Sequence, residues 1–289
     1  VTTAGQWVAG ARPRTLGLAV APVAVGTAAG TLTGPLVWWR AAAALVVALA
    51  LQIGANYAND YADGVRGTDA DRRGPLRLTA TGLASPGAVK RAAFLSFGVG
   101  AVVGTVLALA VDPWLLVLGI ACVAAAWCYT GGSRPYGYAG WGEVAVLACF
   151  GFAATVGSAY VQHESIPSAA WWGALVVGLP ACAVLLANNV RDIDTDRVAG
   201  KRTLAVRIGP APTRRLFAAC LVAAFLAVLP IGIEHPSAFV TWLAIPLALG
   251  PTRLVLTRED PPSLVRALVG TVRLTVVVAA LLTVGLALA

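Results

Sequence analysis

Nine stretches of about twenty residues carry at most one charge each, and that pattern limits the folds open to this chain. They run over 15–34, 41–59, 92–111, 114–131, 142–161, 169–189, 215–233, 237–256 and 268–289. A soluble fold could not hide so much apolar surface. Charged residues are 12% of the 289 and hydrophobic ones 58%, whereas soluble domains run at about a quarter charged. The chain therefore reads as an all-α, polytopic membrane protein of about nine transmembrane helices, a single domain over residues 1–289. In lipid each span must satisfy its own backbone hydrogen bonds, which a helix does. Pro180 and Pro246 fall inside spans and are tolerable there. No cleavable signal peptide is expected, because the first apolar run follows Arg12 and Arg14 and continues at full length. The absence of Met predicts a trimmed N-terminus.

Charge between the spans alternates. With nine spans, one set of loops holds 20 of the 21 basic residues, and only Arg40 falls on the other side. The positive-inside rule places the basic side in the cytoplasm. The N-terminus is then cytoplasmic, the C-terminus outside, and the location a plasma membrane. The net charge of +8 reads as topology and as attraction for anionic lipid or anionic substrates, with no nucleic-acid partner expected. The five cysteines all lie in apolar runs without metal-ligand spacing. They read as small core residues.

Seven of the 13 acidic residues gather at two places, each at the end of a charge-free run. The first is Asp60, Asp63, Asp69 and Asp71; the second is Asp192, Asp194 and Asp196. Acids where a membrane helix meets water are costly and mark function. Asn56, Asn59, Asp60 and Asp63 are three or four residues apart, so they fall on one helix face. Asn188, Asp192 and Asp196 repeat the spacing. Both stripes offer hard oxygen ligands, which suit Mg2+ bridging carboxylates to phosphate. Arg66, Arg77, Arg134, Arg191 and Lys201 stand nearby to hold the outer phosphate oxygens. The pattern describes a diphosphate clamp over an apolar cavity, for a ligand with a charged head and a hydrocarbon tail. The basic-side loops, about 60–91 and 190–214, are long enough to carry short helices as a cap. Asp69 is a second-rank ligand, and Asp71 and Asp194 are supports. Tyr61, Tyr129 and Tyr136 are candidate proton acceptors.

The motifs resemble the UbiA superfamily of intramembrane prenyltransferases. The Asn-Asp-x-x-Asp motif reads NDYAD at 59–63, and Asp-x-x-x-Asp reads DIDTD at 192–196. ARPRTLGLAVAPVAVGT (11–27), GPLRLTATGLASP (74–86), YTGGSRPYGYAGWGE (129–143) and NNVRDIDTDRVAGKRTLAVRIG (188–209) are similar to the branch acting on 1,4-dihydroxy-2-naphthoate. The resemblance implies nine helices around a central cavity capped on the cytoplasmic side. It implies Mg2+ held by Asn59, Asp60, Asp63, Asp192 and Asp196, the four aspartates being the catalytic carboxylates. Asn56, Asp69, Arg77, Tyr129, Arg134, Asn188 and Lys201 are the expected substrate contacts. The implied reaction transfers a polyprenyl group from polyprenyl diphosphate to 1,4-dihydroxy-2-naphthoate, with loss of carbon dioxide, giving a demethylmenaquinone. Two departures stand out: many relatives carry an acid where this chain has Gly67, and a Lys where it has Ser133. Other readings stay open at this point: another acceptor such as 4-hydroxybenzoate or homogentisate, a cation-coupled transporter, or a lipid-binding protein. A transporter would place its ionisable groups near the bilayer midplane, whereas these sit at one face.

Overall fold

The computed structural model describes residues 2–68 and 76–289. Among these the regular structure is helical, with no strand. The helices are α1 (Ala4–Gly10), α2 (Gly17–Gly30), α3 (Trp38–Arg66), α4 (Pro86–Ala110), α5 (Leu115–Cys128), α6 (Gly142–Val146) and α7 (Ala154–His163). They continue as α8 (Ser168–Arg191), α9 (Ile193–Val198), α10 (Leu204–Ile208), α11 (Pro210–Leu226), α12 (Val228–Glu234), α13 (Ile245–Thr257) and α14 (Pro261–Ala287). A π-helical segment, Leu147–Ala153, joins α6 to α7, and a 3-10 stretch, Pro236–Ala244, leads into α13.

Among the described residues, seven continuous helical stretches are long and apolar enough to cross a membrane. Two more apolar helices, α2 and α5, have 14 residues each and lie within the first and fourth expected spans. At 1.5 Å per residue each covers only about 21 Å, short of the ~30 Å hydrocarbon core. By contrast, α3 has 29 residues and reaches about 43 Å. Its surplus turns carry Asp60 and Asp63 beyond the charge-free run, which ends at Asn59. Helix boundaries follow local chemistry. Ser85 and Asp260 cap α4 and α14, each followed by Pro at the first position. Gly67 ends α3 with φ of 71°, a conformation that suits glycine.

Small residues bring helices into backbone contact. A Cβ on Gly26 of α2 would stand 2.1 Å from the Thr155 carbonyl oxygen of α7. One on Gly30 would stand 2.7 Å from Gln162. This i, i+4 glycine pair is the close-packing device of membrane helices, where dispersion rather than water drives association. Gly178 of α8 meets Gly151 of the π segment in the same way, with 2.7 Å from its virtual Cβ to the Gly151 Cα.

Packing is uneven. Helices α2, α8, α11 and α14 supply most of the main apolar cluster, and α8 is the most deeply buried span. Parts of α3, α4 and residues 78–84 form a smaller cluster, and α5 has no buried residue. At one end of the bundle, Arg40 donates to the carbonyls of Val161 and Gln162 at 2.9 and 3.0 Å. The Tyr160 hydroxyl donates to Asp112 at 2.6 Å at that same end. The acid motifs lie at the other end, and helix α1 is tied down there too. Tyr57 of α3 donates to the Trp7 carbonyl at 2.7 Å, and Asn56 donates to the Ala11 carbonyl at 2.9 Å.

The two long loops differ in local structure. The second long loop forms α9 and α10. The described part of the first, residues 76–85, makes turns instead of a helix. Its Leu78 and Thr79 N–H groups go to the Asp60 carboxylate, and Gly82 has φ of 70°.

Candidate active site at the mouth of an apolar cavity

A cavity of about 1740 Å3 runs through the bundle. Its body is apolar, with Leu51, Val123, Phe150, Val184 and Leu268 among its walls. Its mouth is polar: Asn56, Asn59, Asp63, Arg77, Asn188 and Lys201 all line it, together with Tyr129 and Asp196. A charged head at the mouth and a hydrocarbon tail inside fit this division.

Asp63 is the hub. It is almost fully buried. The Lys201 ammonium donates to its Oδ1 at 3.2 Å, and the Arg77 guanidinium stands 3.7 Å from Oδ2. The Tyr138 hydroxyl also donates to Oδ1. Burial, reinforced by the Asp63 carboxylate, pushes the Tyr138 hydroxyl above its ordinary value of 10.0, so it stays a donor at neutral pH. The Lys201 ammonium lies 4.7 Å over the Tyr138 ring, a favourable cation–π contact. Lys201 also couples the two motifs, because its backbone N–H donates to the Asp196 carbonyl at 2.8 Å.

The second motif divides into a part at the cavity and parts held behind it. Asp196 lines the cavity. Asp192 receives Arg191 on both oxygens, at 2.7 Å each, and Arg191 also donates to Asn188 Oδ1 at 2.8 Å. That two-pronged contact fixes Arg191 at the cavity wall. Asp194 is exposed beside Arg197, as its position off the stripe predicts.

Two more expected site residues stand off the cavity. Asp60 does not line the cavity. Its oxygens accept the Leu78 and Thr79 N–H groups at 2.7 and 2.9 Å. Helix geometry explains this: at about 100° per residue, Asp60 sits some 60° around α3 from Asp63, enough to face the 76–84 loop. Arg134 is exposed and off the cavity. Just before it the chain turns at Gly132, φ 75°, while Arg66 donates to the carbonyls of Thr130 and Gly132. Asp69 lies outside the described residues.

Other residues join the site without having been singled out. Tyr138 is one, its partner Asp63 being 75 residues away. Thr130 is another, donating to Asn59 Oδ1 at 2.6 Å. Arg12 lines the cavity with φ of 56°, an uncommon backbone for a non-glycine residue and one that gathers at functional sites. Asn189 also lines the cavity and donates to the buried Glu143. Arg12, Thr130, Tyr138, Glu143 and Asn189 all fall in the strings that carried the family resemblance, which was the available signal.

Residues 19–275 match the UbiA prenyltransferase family. The chain belongs to that family. Among curated UbiA-type relatives, it is 51% identical to the 1,4-dihydroxy-2-naphthoate octaprenyltransferase of Mycobacterium tuberculosis, over 86% of each chain. It is 38% identical to the protein of the same name from Escherichia coli, over 88% of this chain and 86% of that one. Its fold is that of solved UbiA structures. A homologue from Aeropyrum pernix superposes with a TM-score of 0.70 at 16% identity, covering 93% of this chain and 97% of that one. One from Archaeoglobus fulgidus, bound to DMAPP and Mg2+, gives 0.65 at 14%, covering 96% and 99%.

Proposed function

We propose that this UbiA-family protein transfers a polyprenyl group from polyprenyl diphosphate to 1,4-dihydroxy-2-naphthoate. Diphosphate and carbon dioxide leave, and the product is a demethylmenaquinone at the quinol level. The observation that carries the reading is the 38–51% identity, over most of the chain, to relatives bearing that name. The cavity agrees with it, polar at the mouth and apolar within. A transporter is disfavoured, since the paired acids lie at one end of the bundle.

The donor set suits Mg2+. Two carboxylates, Asp63 and Asp196, line the mouth with the amides of Asn59 and Asn188. Among the described residues no three His, Cys, Asp or Glu side chains form a closed cage. Mg2+ uses one or two carboxylates, keeps waters and shares phosphate oxygens, so an open set is appropriate. The structure bound to DMAPP and Mg2+ is a neighbour of the same fold. When bound, Mg2+ neutralises charge developing on the leaving diphosphate.

The chain's own groups do the rest. Lys201 and Arg77, both buried beside Asp63, supply fixed positive charge where phosphate oxygens arrive. Arg191, held by Asp192, adds a third cation at the wall. Asp60 anchors the 76–84 loop and so holds Arg77 in place. The apolar walls exclude water, which would otherwise capture an allylic cation. The aromatic ring then attacks C1 of the prenyl group from within the same shielded space. The mouth opens to the cytoplasm in this reading, with the N-terminus on the same side.

The test supplies purified protein with Mg2+, a polyprenyl diphosphate and a panel of aromatic acids. The prenylated naphthoquinol is the expected product. Prenylation of 4-hydroxybenzoate but not of the naphthoate would overturn the assignment of acceptor.

A further inference from the structure

Behind the cavity wall lies a carboxyl group that the reaction above does not use. Glu143 sits in the first turn of α6 and is 8% exposed. Its side chain does not line the cavity. One oxygen, Oε1, accepts the Asn189 amide Nδ2 at 3.0 Å. The other, Oε2, is buried without a hydrogen-bond partner. Buried polar atoms are nearly always paired, and an exception calls for an explanation. The surrounding backbone is fixed. The Cys182 thiol donates to the Glu143 carbonyl at 3.2 Å. A Cβ on Gly142 would stand 3.2 Å from the Tyr129 hydroxyl. The carboxyl is therefore held against α8, and the preceding Gly142 packs on Tyr129, which lines the cavity.

The partner explains the placement. Asn188 and Asn189 are adjacent, and both line the cavity, but they are gripped by opposite edges. Arg191 has only donors, so the edge Asn188 turns to it is its carbonyl. Its NH2 edge is the one available to a ligand. Asn189 turns its NH2 to Glu143 Oε1, which accepts it. Its carbonyl edge is the one available to a ligand. Two neighbouring amides thus offer a donor and an acceptor to one region of the mouth. An aromatic acid with a hydroxyl beside its carboxylate has the matching pair: oxygens that take a donor and an O–H that can turn from its own carboxylate to an acceptor.

We propose that Glu143 is a positioning residue that locks the Asn189 amide with its carbonyl toward the cavity, where it accepts the hydroxyl ortho to the carboxylate of the aromatic substrate. The inference rests on the acceptor assignment above and deepens it. It makes the ortho hydroxyl a feature the site reads, since a site built to bond a hydroxyl rejects analogues lacking it.

The test is equilibrium binding to the purified full chain, which needs no turnover. The probes are 1-hydroxy-2-naphthoate and 2-naphthoate, which differ only in that hydroxyl. Wild type should bind the hydroxylated acid at least about tenfold tighter. Glu143→Ala and Asn189→Leu should bring the ratio to within about twofold of unity, with affinity for a polyprenyl diphosphate unchanged within twofold. Glu143→Gln keeps an acceptor oxygen for Asn189 and should retain most of the preference, which a merely structural carboxylate would not predict. Equal affinities in wild type, or an Asn189→Leu variant that keeps the preference, would overturn the proposal even if Glu143→Ala did not fold. Failure of the parent reading looks different: wild type would prefer the hydroxylated acid yet prenylate only some other ring.

Discussion

Asp60 and Asp63 are three residues apart in one motif, yet the structure gives them separate work, and replacing Asp60 by Asn tests the separation. The carboxylate is 2% exposed and accepts the Leu78 and Thr79 N–H groups at 2.7 and 2.9 Å. Bonds to a charged acceptor contribute about 1.5–3 kcal/mol each, and a buried donor left unpaired costs about 1–3 kcal/mol. Asparagine keeps one oxygen and turns an NH2 toward the other N–H. One bond becomes neutral and weaker, and the other becomes a donor facing a donor. The expected loss is about 2–4 kcal/mol of stability. At about 2–4 °C per kcal/mol, the unfolding midpoint should fall by roughly 5–15 °C. The assay is a thermal melt in detergent beside a Mg2+ titration of turnover at a temperature where the variant is folded. The Mg2+ concentration for half-maximal rate should stay within about twofold of wild type, because Asp60 is off the cavity. An unchanged midpoint with a tenfold greater Mg2+ requirement would refute the reasoning and return Asp60 to the metal set.

Asp63→Asn should reduce turnover by at least about 10²-fold, because it strips charge from the hub that Lys201 and Arg77 share; single-turnover kinetics at saturating substrate would register this. Gly26→Val should destabilise the bundle by at least about 1–3 kcal/mol, since even a Cβ there meets the Thr155 carbonyl. Gly98→Ala, with nothing within 4 Å of its Cβ, should leave the melting point level or higher and serves as the control. The Asp112 carboxyl is held below its ordinary value of 3.8 by the Tyr160 hydroxyl and then the Trp114 N–H. A depressed carboxyl contributes stability above its unfolded value, and the contribution disappears as pH falls through the folded one. Asp112→Asn should therefore show a flatter acid limb than wild type below about pH 4 in pH-resolved melts.

Seven of the nine apolar runs coincide with helices long enough to cross a membrane, legible because such a run has few alternatives, and the other two coincide with the shorter α2 and α5. The stripe at Asn56, Asn59 and Asp63 followed from helical spacing alone, and all three line the cavity. Spacing could not separate Asp60 from Asp63, because the difference lies in a loop that α3 meets eighteen residues later. Tyr138 was invisible for a similar reason: nothing local to a Pro-Tyr-Gly-Tyr run says that one hydroxyl will reach a carboxylate on another helix. Arg134 read as a phosphate ligand from its charge, but the turn at Gly132 carries it into solvent. The Gly26–Gly30 pair that packs α2 on α7 and the Thr3–Gln6 capping box that starts α1 emerged only with the structure. What stayed out of reach was direction: which edge of Asn188 or Asn189 faces the cavity depends on Arg191 and Glu143, and the latter sits 46 residues upstream of its partner.

The uneven packing of the bundle has a mechanical meaning. Backbone contacts at Gly26, Gly30 and Gly178, the last on the deeply buried α8, make one wall of the cavity stiff. On the opposite side α5 packs lightly on α3 and α4 and has no buried residue. Low local contact density goes with easier opening. A bulky tail entering or leaving therefore strains α5 first and leaves Asp192 and Asp196, which follow α8, undisturbed. Amide exchange in lipid nanodiscs would map this as a gradient of protection, steepest between α8 and α5.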